Sequence, residues 1–328
     1  MLIYARPFEV NQIVPRRVIS QSETEGQSRF GDGFNCRMIW FGASLTAVVP
    51  GALTEPMAKG RKNMDSLEAY KSAQKQGWAH FAPLEMFTTP PAARLVKFAG
   101  VRAGQQVLDV GCGTGVVAIT AARMGAKVTG IDLTAELLER ARENSRIAAL
   151  QVDWQEGDVE KLPFGDGAFD VVLSQFGHMF APRPSVALAE MLRVLKPGGT
   201  IAFATWPPEL FTGRMFRLVA SYMPPPPPGV SPPPQWGDQN IVRERLGNAV
   251  SDITFERDTI RAPALSPQHS RLMFERTAGP VINLVKTLSA NDPAKLTAFR
   301  AEYDKLAAEF FGDNVIQQEY LLTRAAKI

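Results

Sequence analysis

Val107-Leu108-Asp109-Val110-Gly111-Cys112-Gly113-Thr114-Gly115 is a short apolar run that breaks into three glycines spaced two apart. Val107, Leu108 and Val110 suit a strand covered on both faces. Glycines at 111, 113 and 115 let the backbone turn sharply and let a ligand approach where a Cβ would collide. A turn between a strand and a helix lies at the carboxyl edge of an open α/β sheet, the usual place for a ligand.

The sequence on either side repeats the pattern of one short strand followed by one amphipathic helix. Strands are expected at Gln106–Val110, Lys127–Asp132, Ala149–Trp154, Phe169–Ser174 and Thr200–Trp206, with helices at Val116–Met124, Ala135–Ile147 and Ser185–Leu195 between them. Lys196-Pro197-Gly198-Gly199 stops the last helix. Upstream, a helix is expected over Ser66–Gly77, capped by Asp65. A second begins at Thr88 or Thr89 with Pro90 and Pro91 in its first turn. Downstream, prolines crowd 224–228 and 232–234 in an extended stretch. Beyond it come a strand at Asp252–Ile260, a helix at Pro293–Phe311 and a closing strand at Glu319–Ala325.

Two cofactors compete for the glycine turn. Gly113, Gly115 and Ala118 satisfy the G-x-G-x-x-A form of a dinucleotide fingerprint, with Asp132 near the distance of a ribose-binding acid. A nicotinamide dehydrogenase is one reading. The D-x-G-x-G-x-G spacing of Asp109, Gly111, Gly113 and Gly115 instead resembles the first motif of class I S-adenosylmethionine-dependent methyltransferases. The resemblance continues in order through Asp132, Gly157-Asp158 with Leu162-Pro163-Phe164, Phe169-Asp170-Val171-Val172, and Arg193-Val194-Leu195-Lys196-Pro197-Gly198-Gly199. It is strongest to the ubiquinone/menaquinone-biosynthesis-like (type 11) branch. Five ordered motifs over about 100 residues outweigh one glycine loop.

The resemblance implies a doubly wound, mostly parallel seven-stranded sheet with a helical cap, and S-adenosyl-L-methionine as cofactor. Gly111, Gly113 and Gly115 would give backbone access to its methionine part, with Asp109 near its ammonium. Asp132 would accept from the ribose hydroxyls beside Leu133, and Asp158 from the adenine amino group beside Val159. Ser174 and Gln175 would line the donor site. A third reading is a scaffold that binds the cofactor without catalysis.

Of the three histidines, His178 follows the fourth strand, where the acceptor pocket of such enzymes opens. It is the candidate general base or acceptor-positioning group, weighed against a structural histidine. Ser174-Gln175-Phe176-Gly177 lacks the Asn/Asp-Pro-Pro-Tyr pattern of enzymes that methylate base amines or amides. Phe176, Met179, Phe180, Trp206, Phe211, Met215, Phe216 and Tyr222 suggest an apolar small-molecule pocket, although any one of them taken singly reads better as core. The expected reaction is methyl transfer to oxygen or carbon of a small apolar acceptor.

Thirty-six basic residues against 33 acidic ones give a net charge of only +3, too little for a phosphate-binding face, so nucleic acid is not an expected partner. Cys36 and Cys112 make neither a disulfide framework nor a metal site. The apolar stretch from Met38 to Leu53 is broken by Gly42, Pro50 and Gly51, so no membrane span is expected. No targeting signal is visible, and a cytoplasmic location fits. Residues 1–63 show no sustained period and read as an N-terminal extension or a mis-assigned start ahead of a methyltransferase domain at 64–328. Within that domain, 100–206 would be the donor-binding core and 207–328 the cap and closing strands. The sequence leaves the oligomeric state open.

Overall fold

The computed structural model describes the backbone of residues 55–328 and the side-chain environment of residues 66–328. Expectations for 1–54 lie outside the described residues. The chain divides between Ala52 and Leu53, and helix α1 spans Glu55–Trp78. The expected boundary at residue 63 therefore falls inside a helix, and Asp65 is an interior residue. A possible cap is a weak signal when helix formers such as Ala58, Lys59, Arg61 and Lys62 precede it.

Helix α2 spans Glu85–Ala99 after a short 3₁₀ turn at Ala82–Leu84, and it places Pro90 and Pro91 in its interior, one turn later than expected. Each proline removes one amide donor to a carbonyl four residues back. The carbonyls concerned belong to Met86 and Phe87, and Met86 is exposed, where water can serve. Gly100 closes α2 with a left-handed φ of 70°.

The alternating core follows with few changes. Strand β1 (Gln106–Val110), helix α3 (Val116–Arg123), strand β2 (Lys127–Asp132) and helix α4 (Ala135–Ile147) stand where their periods put them. Strand β3 is Asp153–Glu156, later than the expected Ala149–Trp154, because Ala149 takes a positive φ of 54° at the end of the preceding helix. Strand β4 is Phe169–Gln175 and helix α5 is Pro184–Val194. Strand β5 is Leu195–Thr205, so the Lys-Pro-Gly-Gly stop signal belongs to the strand, with its pairing to β4 irregular near Phe169.

Beyond β5 the chain builds a helical layer and two long strands. Helices α6 (Phe211–Ser221) and α7 (Gln239–Leu246) precede strand β6 (Val250–Pro263). Helices α8 (Pro267–Thr277), α9 (Gly279–Asn291) and α10 (Pro293–Glu309) precede the two-residue β7 (Phe311–Gly312) and strand β8 (Val315–Lys327). Helices α7, α8 and α9 have no counterpart in the expected elements. The expected stripe on α10 is buried at Leu296, Phe299, Tyr303 and Leu306, while Phe310 lies just past the helix, half-buried.

The sheet order is β3-β2-β1-β4-β5-β8-β6, with β7 added on β8. Strands β3, β2, β1, β4 and β5 are parallel, and β8 runs antiparallel between β5 and β6. Seven long strands match the expected count. A dinucleotide fold of order 3-2-1-4-5-6 has no such antiparallel insertion. Because β5 pairs with β8 only from Leu321 to Ala326, the β6–β8 ribbon projects past the carboxyl end of β5. One apolar core lies on the sheet. A second, with Phe211, Phe274, Leu284, Phe299 and Tyr303, ties α6, α8, α9 and α10 together and reaches Ile316 on the ribbon.

Removing residues 1–52 should leave melting temperature and cofactor affinity unchanged, because the deletion ends before α1. Removing residues 1–78 should cost cofactor affinity, because α1 carries Lys71, Lys75 and Trp78 into the pocket described next. Thermal melts and calorimetry on both truncations check this, and equal behaviour of the two would contradict it.

Candidate active site

One cavity opens along the carboxyl ends of the parallel strands and continues under the ribbon. Asp109, Gly111, Gly113, Asp132, Leu133, Asp158, Val159, Gln175 and His178 all line it, so the structure brings these expected residues together. Gly115 and Ser174 are not among the lining residues.

The three motif glycines do three different jobs. A Cβ on Gly115 would lie 2.5 Å from the Trp154 ring, and one on Gly130 would lie 2.4 Å from it, so these glycines make room for that indole. A Cβ on Gly111 would meet Gly177 Cα at 2.8 Å, and one on Gly177 would meet the Gly111 carbonyl oxygen at 2.5 Å. Those two turns, after β1 and after β4, touch backbone to backbone. Only Gly113 has nothing within 4 Å of its missing Cβ, at a φ of +53°, so it is the glycine that leaves the cavity open.

Asp109 is buried at the end of β1. Its Oδ2 accepts from the Ala118 amide at 3.0 Å, and its Oδ1 has no partner. Burial pushes its pKa up to about 7, against the pull of the Ala118 amide. A cationic ligand group at Oδ1 would satisfy the orphaned oxygen and restore the charge.

Asp132 is half-buried and supports the glycine turn. Its Oδ2 accepts from Gly113 N and its Oδ1 from Thr134 N, both at 2.8 Å, so it holds the glycine turn while keeping lone pairs for hydroxyl donors. Burial raises its pKa. Asp158 accepts from the Glu160 amide and, at 2.6 Å, from the Lys71 ammonium. Lys71 also reaches Glu160 at 2.7 Å, and Glu160 is clamped by Arg183. Burial works against the Lys71 charge, but the bonds to Asp158 and Glu160 outweigh it and hold its pKa up. An adenine amino group at Asp158 would share that carboxylate with Lys71.

Ser174 is structural. Its hydroxyl donates to the Val110 carbonyl at 2.6 Å and accepts from His178 N at 3.0 Å. The His178 ring sits with its centroid 4.7 Å from both Phe203 and Trp236, and both ring nitrogens lack partners. Burial, with a smaller push from Arg245, lowers its pKa to about 3. A base that weak, enclosed by aromatic rings, fits the structural alternative for His178 better than proton abstraction. Cys112 lines the cavity with a thiol whose pKa burial pushes up, which fits a filler.

The far half of the cavity is aromatic. Phe176 and Trp206 stack at 3.9 Å with rings 9° apart, and Phe176 holds a left-handed φ of 60° while its amide N–H donates to the Ala204 carbonyl. Trp78, Phe180 and Phe216 form a second ring series with centroids 4.6 and 5.5 Å apart. Polar groups there are few: Gln175, whose Nε2 donates to the Thr88 carbonyl, and the buried pair Thr212 and Gln318. The expectations named Gln175 only as a donor-site residue, and did not include Lys71, Thr212 or Gln318. None of residues 223–234 lines the cavity; Ser231 instead donates to the Pro182 carbonyl, so the proline stretch braces a neighbouring loop.

Residues 108–203 match the family described as "Methyltransferase domain" (Methyltransf_11). An uncharacterized protein of Mycobacterium tuberculosis is 37% identical over 264 residues, covering 79% of this chain and 96% of its own length. A demethylmenaquinone methyltransferase of Tropheryma whipplei is 39% identical over 130 residues, 39% of this chain and 53% of that protein. Residues 108–203 are a class I S-adenosylmethionine-dependent methyltransferase domain of the type 11 branch, and the chain belongs to one family with the Mycobacterium tuberculosis protein. A Bacillus halodurans protein assigned as a methyltransferase shares the fold, at a TM-score of 0.50 and 22% identity over 72% of this chain and 98% of its own. The cofactor is S-adenosylmethionine, and the orphaned Asp109 Oδ1 and the open space at Gly113 fit it. Among the described residues no helix is long and apolar enough to cross a membrane, and no cluster suits a metal ion.

The ionised form of Asp109 is the one that pairs with an ammonium. Cofactor affinity should therefore fall by up to about tenfold per pH unit as pH drops below the Asp109 pKa. In the free protein the raised pKa stabilises at low pH and loses that contribution as pH rises through about 7, so cofactor should raise the melting temperature more above that pH than below it. Calorimetry across this range checks the slope, which Asp109→Asn should flatten; a pH-independent wild type would contradict the pairing.

Proposed function

We propose that the protein transfers the methyl group of S-adenosylmethionine to oxygen or carbon of a small, mainly apolar acceptor. The observation that carries this reading is the continuity of one cavity from Asp109 and Asp132 to an aromatic compartment. When bound, the cofactor supplies a methyl group already activated on a sulfonium. Asp109 would hold the ammonium, Asp132 the ribose and Asp158 the adenine, as the type 11 resemblance implies. Phe176, Trp206, Trp78 and Phe216 would exclude water from the acceptor and hold it in line, and positioning of this kind supplies much of a barrier reduction. The relative named as a demethylmenaquinone methyltransferase, matched over 130 residues, supports an acceptor of apolar character.

No nucleic-acid role is proposed, since the enclosed aromatic compartment suits a molecule that enters whole. The test is incubation of the full chain with methyl-labelled cofactor and a cell extract, followed by separation of solvent-extractable small molecules, protein and nucleic acid. Label in the extractable fraction, with release of S-adenosylhomocysteine, is expected. Label confined to protein or nucleic acid, or binding without release in any fraction, would overturn the proposal.

Asp132→Ala should lower cofactor affinity by about 10- to 100-fold, the worth of a charged hydrogen bond. Because Asp132 also holds Gly113 N and Thr134 N, the melting temperature should fall modestly as well. Calorimetry and a thermal melt on one preparation check both, and unchanged affinity in a folded variant would remove Asp132 from the site.

A further inference from the structure

Strand β8 presents Ile316, Gln318, Tyr320 and Leu322 as alternating buried positions. Gln318 is the polar member of that stripe, 5% exposed. Burying an amide costs free energy unless it is hydrogen-bonded. Its recorded side-chain partner is the Thr212 hydroxyl, which donates to Gln318 Oε1 at 3.3 Å, a long bond for a hydroxyl. Thr212 itself is 4% exposed on α6, and both residues line the cavity. A single long bond is a poor return for two buried polar groups if tying α6 to β8 were their whole purpose.

Their place in the sheet supplies the rest. Gln318 pairs with Ile260 in the part of the ribbon that projects beyond β5, and Ile260 also lines the cavity. In the strand order, β8 lies three strands from β1, which ends beside the cofactor site. At about 4.8 Å per strand this puts β8 roughly 14 Å across the sheet from β1, and Gln318 lies further toward the projecting end of the ribbon than Arg324, the β8 position level with Asp109 in the strand register. The Oε1 bond to Thr212 leaves the Gln318 amide N–H groups as donors at the far end of an otherwise apolar compartment.

We propose that Gln318, oriented by Thr212, is a specificity-determining residue that donates a hydrogen bond to an oxygen of the acceptor at the end remote from the atom to be methylated. The acceptor class is then an apolar molecule with its reactive group at one end and a carbonyl or ether oxygen at the other. This rests on the methyl-transfer reading for the identity of the near end only. A buried donor left unpaired by an acceptor lacking that oxygen would reject the analogue.

The test uses two probes of nearly equal shape, 4-acetyl-4′-hydroxybiphenyl and 4-isopropyl-4′-hydroxybiphenyl, titrated into the full chain saturated with S-adenosylhomocysteine. Wild type should bind the acetyl probe about tenfold more tightly or better, the worth of one buried hydrogen bond. Gln318→Leu should remove that preference by weakening the acetyl probe alone, and Thr212→Val should reduce it. S-adenosylhomocysteine affinity, measured on each variant, reports folding independently. A purely structural pair would shift the melting temperature and leave the ratio of the two probes untouched, which would overturn the proposal. So would equal affinity for both probes, or no binding of either, in wild type. Loss of S-adenosylhomocysteine binding by the wild type would instead count against the methyl-transfer reading, so the two failures are distinguishable.

Discussion

The contact between Gly111 and Gly177 is the constraint on which the site depends. The turns after β1 and β4 meet backbone to backbone, at distances that leave no room for a methyl group on either residue. That approach sets the relation between the two halves of the cavity. On one side, the β1 turn presents Asp109, Gly113 and, through its hydrogen bond, Asp132. On the other, the β4 turn presents Gln175 and the strained Phe176. Ser174 reinforces the junction from below by bonding both the Val110 carbonyl and the His178 amide. The two halves of the cavity therefore share one seam in the backbone.

The far wall of the cavity comes from the unevenness of the sheet. Strand β5 stops at Thr205, whereas β6 and β8 run on past it. The projecting ribbon carries a core of its own with α6, α8, α9 and α10, so the cap has internal packing independent of the cofactor site. Helix α1 closes the opposite side, held by Lys71 to Asp158 and Glu160 and by Lys75 to Glu156. Removing Lys71 would leave the buried Glu160 and the partly buried Asp158 short of a counter-charge, which costs more than the loss of a surface pair.

Much of the core was legible in the sequence because its signals are local. A buried strand before a glycine turn, and a terminal carboxylate on the next strand, are readable one residue at a time, and β1, β2, α4 and the left-handed turn at Gly113 follow directly. What was not legible depends on partners distant in the chain. Gly111 and Gly115 look alike in the motif, yet one answers to Gly177 and the other to Trp154. His178 stands where a base could stand, but its ring is taken by Phe203 and Trp236, which lie on later elements. The proline stretch reads as extended from its residues alone, but the Pro182 loop it packs against is distant in the chain. For Gln318 there was a signal: a polar residue interrupting a buried strand period, visible once β8 is known to be buried on that face.

A crystal structure of the full chain with S-adenosylhomocysteine bound would test the central claim most directly. The account predicts the ammonium at hydrogen-bonding distance from Asp109 Oδ1, the ribose hydroxyls on Asp132, and the sulfur facing the compartment walled by Phe176 and Trp206. An ammonium bound elsewhere, or a sulfur turned away from those rings, would contradict the reading of one continuous cavity as a methyl-transfer site.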